Sequence, residues 1–225
     1  MKFPRVPHSW NVIPRRAVRI QRDLAGRVIR TGRIPTPTLI AGADLAFVAE
    51  SEECIAGVVV WHVTERRIVE ERVVRRPTRF PYIPGLLSFR EAPALAAVFR
   101  KLRSEPDAFM FDGQGYAHPR RFGLACHMGV LLDRPALGCA KSVLVGDFDL
   151  LGKAQWSTAP LIHHGEQVGL AVRTRAGVKP VFVSVGHRMS LRSAVALTRM
   201  CTTRYRIPEP TRLADALVAR VKRAT

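Results

Sequence analysis

Apolar and polar residues along the chain fall into helical and strand periods that divide it into recognisable elements. From Pro14 to Arg30, Ala17, Ile20, Leu24 and Val28 recur at helical spacing behind a proline suited to a first turn. Arg15, Arg16, Arg19, Arg22, Arg27 and Arg30 occupy the rest of that surface. Three strands are predicted next, at Leu39 to Phe47, Cys54 to Val63 and Arg67 to Val74, and their short connections predict an antiparallel meander. A helical face follows (Leu95, Val98, Phe99, Leu102), then a strand at Ala108 to Phe111, a helix at about Phe122 to Leu132 and a short strand at Ala136 to Ala140. Gly, Asp and Pro beyond residue 145 predict a loop. The pattern closes with a strand pair (Gln167 to Thr174 and Pro180 to Val185), a helix after Ser190 and an amphipathic helix after Thr211. Strands first, then alternating helix and strand, predict an α/β fold with a mixed sheet flanked by helices. The expected organisation is one domain over residues 1–225, with the basic helical segment 1–36 packed on it.

Composition narrows the partners. A chain of 225 residues with 47% hydrophobic content can bury a core and is not a disordered polymer. Its net charge of +18 is unusual, with Lys+Arg 36 against Asp+Glu 18. That excess predicts a polyanionic partner, and its arginine bias favours nucleic acid over an anionic membrane surface. Cys54, Cys126, Cys139 and Cys201 are scattered without zinc-ligand spacing, as in a reduced intracellular protein. The Met-Lys-Phe-Pro-Arg start lacks a signal-peptide apolar core, and no apolar run reaches the ~18–20 residues of a membrane span. The expectation is a cytoplasmic monomer with no membrane contact.

The candidate chemistry lies in carboxylates set into apolar surroundings. Asp44 interrupts one predicted strand, Asp112 ends another, and Glu91 stands where a helical pattern begins. A lone carboxylate in such a place is costly unless paired, hydrogen-bonded or bound to a cation. Singly, Asp44 could be satisfied by strand-end amides and Asp112 by starting the Asp-Gly turn that Gly113 and Gly115 allow. Glu91 could close a capping box with Ser88, although Pro93 would then fall inside the helix. Converging, the three suggest an oxygen-lined site for Mg²⁺ and, in so basic a chain, phosphodiester hydrolysis. His118 and Lys141 are ordinary in isolation but could face such a phosphate site. His127 reads as a packed helix histidine. Pro81-Tyr82-Ile83-Pro84-Gly85 is a stiff loop whose Tyr82 either plugs the core or enters a base stack as a wedge.

These segments, in one order from about Asn11 to Ala219, resemble the endonuclease V family. The resemblance rests on GADLAF, PYIPGLLSFRE, FDGQGYAHPRRFGLACHMGV, LGCAKS, PVFVSVGHRMS and YRIPEPTRLAD. It implies a ribonuclease-H-like fold and Mg²⁺-dependent hydrolysis, with Mn²⁺ substituting, of the second phosphodiester bond 3′ to deoxyinosine. It implies Asp44 and Asp112 as metal ligands, Glu91 as a further catalytic carboxylate at or near the metal, and Asp215 approaching the metal. Tyr82 takes the wedge position among the DNA-contacting residues Pro81, Ile83, Pro84 and Gly85. The backbone at Gly113 and Gly115 is a candidate for the lesion, and His118 and Lys141 support the scissile phosphate. The implied partner is hypoxanthine-containing double-stranded DNA, with single-stranded DNA or inosine-containing RNA as alternatives. A non-catalytic nucleic-acid-binding protein is the rival from another class. No role is assigned to Leu150 to Pro160 or to His187.

Overall fold

A computed structural model describes residues 1, 3–48 and 52–224. Small and β-branched residues build the first hairpin, in which β1 (Leu39–Val48) runs antiparallel to β2 (Glu53–His62) and β2 antiparallel to β3 (Arg67–Pro77). The predicted meander is therefore present. The chain then crosses through α2 (Leu87–Phe99) to β4 (Ala108–Phe111), parallel to β1, and through α3 (Leu124–Leu132) to β5 (Ala136–Ala140), parallel to β4. Before them comes α1 (Pro14–Ala25), with Pro14 in its first turn as predicted. It stops ahead of Gly26, short of the predicted Arg30.

Three further strands extend the sheet. β8 (Val181–His187) pairs antiparallel with β5, β7 (Glu166–Val172) with β8, and β6 (Thr158–His163) with β7. The resulting order is β3-β2-β1-β4-β5-β8-β7-β6. This mixed, helix-flanked sheet is the expected α/β class, and its β3-β2-β1-β4-β5 portion has the ribonuclease-H-like arrangement. β6 corrects the predicted loop beyond residue 145. It is an edge strand carrying Pro160, and a proline is tolerated there because an edge strand leaves amides unpaired.

Strand parity sorts the core onto two faces. Ala41, Ala43, Ala56, Val58, Phe109 and Phe111 pack under α2 and α3. Ile40, Met110, Leu137 and Val183 pack under α4 (Leu191–Cys201), and Val59 meets Ala214 and Leu217 of α5 (Glu209–Arg223). α5 begins before the predicted Thr211. On the other side α1 lays Ala17, Ile20 and Leu24 against Phe80, Phe89, Phe122 and Cys126.

Candidate active site

The parallel register that pairs Ala43 with Phe111 brings the next residues, Asp44 and Asp112, together at the carboxyl edge of β1 and β4. Lys141 follows β5 at that edge, and its Nζ lies 2.6 Å from Asp112 Oδ2. The carboxyl edge of parallel strands is where open α/β sheets place their ligands. α2 supplies Glu91 from one side of the sheet, and α5 supplies Asp215 from the other.

The electrostatics record how close the group is. Asp44 has its pKa pushed up to about 7, first by burial, then by the charge of Asp112, with a hydrogen bond shared with Asp215 adding to the effect. Glu91 is pushed up to about 8 by burial and by the charges of Asp44 and Asp112. Lys141 is raised by the same acids despite its partial burial. Among the described residues, no group of three or more His, Cys, Asp or Glu side chains is arranged to hold a metal ion as it stands. The donor set is nevertheless all oxygen, with more negative charge than one ammonium offsets, and this suits a hard divalent ion.

Glu91 is not engaged in a capping box. α2 starts at Leu87 with Leu86 as its N-cap and no side-chain cap, so Ser88 lies inside the helix. The Ser88 hydroxyl instead pairs with His127 Nδ1 at 3.0 Å. Pro93 does sit within α2, where the missing amide frees a carbonyl one turn back. His127 is fully buried among Trp10, Phe89 and Phe122, as a packed histidine, with its Nε2 2.8 Å from His8 Nε2.

The Pro81–Gly85 loop projects beside this edge. Tyr82 is 70% exposed, so it does not plug the core; Phe80 and Leu86 do. Ile83 packs partly against the α1 cluster. Gly85 turns the chain at φ +79°, a backbone conformation that suits glycine, and a Cβ there would come 2.9 Å from Arg120 Nη2. Its carbonyl accepts from Gln21 Nε2 (3.1 Å), His118 Nε2 (2.9 Å) and Arg120 Nη2 (2.5 Å). Gln21 also donates to Phe122 O and accepts from Arg120 Nε at 2.6 Å, which uses its whole amide.

His118 is 3% exposed, and its Nδ1 accepts from the Arg120 amide, so Nε2 carries the proton given to Gly85. Burial, with Arg120 and Arg121 nearby, lowers its pKa to about 4 against the opposing Gly85 bond, which keeps the ring neutral. Gln21 and Arg120 were not singled out from sequence. Gln21 could have been, as the one polar residue on the Ala17-Ile20-Leu24 stripe.

Between the loop and the carboxylates lies a cavity of about 350 Å³, lined among others by Tyr82, Gly85, Asp112, Gly113, Gln114 and Lys141. Its size falls within the ~300–1,000 Å³ of small-ligand sites. Gly115 does not line it. Its amide donates to Ser184 Oγ, and a Cβ would meet Val185 O at 2.1 Å, so the glycine serves close packing on β8. Pro81 is also outside the cavity lining. His187 bonds Asp133 through Nε2 and accepts from the Ile29 amide, tying the segment after α1 to β8. Leu150 is fully exposed in the segment left unassigned from sequence, and Thr158–Pro160 opens β6.

Comparison with known proteins gives this geometry a family. Residues 22–216 match the sequence profile described as Endonuclease V. An endonuclease V from Myxococcus xanthus is 48% identical over 219 residues, covering 96% of this chain and 92% of that protein. The crystal structure of endonuclease V from Streptomyces avermitilis superposes with a TM-score of 0.92 at 41% identity, covering 99% of both chains. Endonuclease V from Ciona intestinalis, solved in complex with a 24mer DNA containing an inosine followed by a ribo-adenosine, gives 0.82 at 26% identity, over 94% of this chain and 98% of that one. Matched over most of its length in sequence and over nearly all of it in fold, this chain belongs to the endonuclease V family of nucleases.

Proposed function

We propose that the protein incises DNA beside deoxyinosine, hydrolysing the second phosphodiester bond 3′ to the lesion. The observation that carries this reading is the placement of Asp44, Glu91, Asp112 and Asp215 on one edge beside a cavity overhung by an exposed aromatic ring. The binding of inosine-containing DNA by the Ciona relative supports it.

Asp44 and Asp112 would hold a divalent cation, Mg²⁺ or in its place Mn²⁺, with Glu91 and Asp215 at its margin. Such an ion, when bound, supplies Lewis-acid stabilisation of a phosphoryl oxygen and lowers the pKa of water. Lys141 stands by Asp112, where its ammonium offsets negative charge developing on the phosphate. Without the ion, burial and neighbouring acids raise Asp44 to about 7 and Glu91 to about 8; binding the cation would draw the proton from Asp44, and Glu91 would remain able to exchange a proton with water at the phosphate. Tyr82 fills the space left in the stack when hypoxanthine turns out, and the cavity takes the extruded base between Gly85 and Gly113. His118, with both ring nitrogens committed to backbone, acts by positioning Gly85.

The test is incubation of the protein and Mg²⁺ with end-labelled duplexes bearing one deoxyinosine, and with matched inosine-containing RNA, followed by mapping of each cut. Cleavage in the DNA at the bond that follows the lesion's 3′ neighbour, the second phosphodiester bond 3′ to deoxyinosine, is expected. Cleavage of the RNA alone would make the protein an inosine endoribonuclease, and binding without any cleavage would favour the non-catalytic rival.

A further inference from the structure

The segment that leads into the Pro81–Gly85 loop lines a second recess, of about 370 Å³, that the carboxylate chemistry does not use. Trp10 and Phe80 contribute to its apolar floor, and its rim carries Arg76, Arg79, Arg90 and Arg100. Arg76 lies near the end of β3, Arg79 in the connection to the loop, Arg90 on α2 and Arg100 at its C-cap. No Asp or Glu lines the recess, and among the described residues none of these guanidiniums forms an ion pair with a carboxylate. Arg90 is braced, with Nη1 donating to Phe80 O at 2.8 Å and its guanidinium 4.3 Å from the Phe47 ring centre. Arg100 lies 4.8 Å from the ring centre of Phe3.

Like charges gathered without counter-charge repel one another, and an anion with several oxygens relieves that repulsion. Guanidinium forks match phosphate oxygens in pairs, and an apolar floor strengthens the attraction by excluding water. The position adds direction. Arg76, Pro77, Arg79 and Phe80 border this recess, and after Pro81 the same segment continues as Tyr82 to Gly85 along the cavity beside Asp112, so one stretch of chain links the two. Arg90 also precedes Glu91 on α2, so one helix serves both sites.

We propose that this recess is a second phosphate-binding subsite for nucleic acid, gripping the backbone of the bound DNA on the far side of Tyr82 from the lesion cavity. This placement rests on the reading of the Tyr82 loop and cavity as the lesion site. The subsite holds the flank of the duplex while the loop engages the lesion, and it contributes affinity without reading sequence.

The test uses the full chain with Arg76, Arg79 and Arg100 each changed to Gln, leaving Arg90 to brace Phe80. A second triple variant, with Arg66, Arg175 and Lys179 each changed to Gln, removes the same charge elsewhere. Fluorescence anisotropy with chelator present, over a salt series, measures binding to lesion-free and deoxyinosine duplexes without cleavage. The recess variant is expected to lose about tenfold or more in affinity for both duplexes at low salt, and its salt slope to fall by about 2–3, at about 0.9 per phosphate contact. The control variant is expected to lose clearly less. Arg→Lys at the three recess positions, keeping charge but not the fork, should retain most of the slope while losing part of the affinity.

Deoxyinosine duplexes shortened stepwise from each end test the placement. Wild type should show an affinity step on one side only, and the recess variant should lack it. Equal losses in recess and control variants would overturn the proposal, as would an unchanged truncation profile. Binding of phosphatidylserine vesicles that the recess variant loses while keeping its DNA affinity would overturn it too. Failure of wild type to cut at deoxyinosine would instead sink the nuclease reading, and the lesion-free arm would still report on the recess.

Discussion

Asp44 and Glu91 keep their protons to about pH 7 and about pH 8, because burial and neighbouring carboxylates disfavour their charge. In the unfolded chain both ionise near about pH 4, so above that point the folded state binds more protons and stability falls as pH rises. His118 and His127 act the opposite way. Burial lowers the pKa of His118 to about 4 and pushes His127 well down, so their effect on stability appears as pH falls below the unfolded imidazole value of about 6.5. From about pH 6.5 to 8 the two carboxylates therefore set the sign. Melting temperature in chelating buffer is expected to decline across that window, and Mg²⁺ to raise it more at pH 8 than at pH 6.5. Asp44→Asn should flatten the decline, lose most of the Mg²⁺ response and abolish cleavage, while still binding a deoxyinosine duplex. Wild-type slope and turnover in the Asp44→Asn protein would remove Asp44 from the cluster. Tyr82 poses a separate question. Being 70% exposed, it contributes little to the core, so Tyr82→Ala should leave melting unchanged yet lose about 1–3 kcal/mol of lesion affinity, the range for base–aromatic stacking. Tyr82→Phe should keep both. A Tyr82→Ala protein that melts early and prefers deoxyinosine as strongly as wild type would rule out the wedge.

At the scale of elements, α1 is more than a basic cover on the sheet. Its buried Gln21 donates to Gly85 and Phe122 and accepts from Arg120, so the helix holds the wedge loop in place. Gln21→Leu fills similar space but strands those groups, and each buried polar group left without a partner costs about 1–3 kcal/mol. The variant is expected to melt lower and to bind lesion DNA more weakly, with cleavage restored at saturating enzyme. Weak cleavage persisting at saturation would mean that Gln21 acts on the chemistry instead. This latch also shows what sequence can carry. The β1-β2-β3 meander, β4, α3 and β5 were legible because each is a local period in burial. Asp44, Asp112 and Lys141 were legible because each ends or interrupts such a run. The bonds on Gly85 were not, because its partners lie 64, 33 and 35 residues away and no local pattern encodes them. The packing at Gly115 was hidden for the same reason, since its close neighbour is Val185 of β8. β6 was lost to Pro160, which argues against a strand everywhere except at an edge.

For the whole molecule, the charge of +18 surrounds an acidic edge, so two opposed electrostatic tasks share one surface. The exposed arginines of α1 (Arg15, Arg16, Arg19, Arg22) form no ion pairs with carboxylates among the described residues, and they add to the same cationic field. No helix of the described residues is long and apolar enough to cross a membrane. A field of this kind attracts any nucleic acid and cannot tell hypoxanthine from adenine. On the proposed reading, discrimination comes from the cavity and the Tyr82 ring, through contacts that release no counterions. The two contributions separate under salt. Plots of log affinity against log salt, taken with chelator present, are expected to be steep for lesion-free duplex, with about 0.9 per phosphate neutralised. The deoxyinosine duplex should give a parallel line displaced upward, so the preference for the lesion stays constant while total affinity collapses. Tyr82→Ala should move the two lines together without changing their slopes, whereas loss of arginines should flatten both and leave their separation intact. If the lines instead converge as salt rises in wild type, the lesion is being sensed through additional phosphate contacts, and the division of labour between basic surface and cavity is wrong.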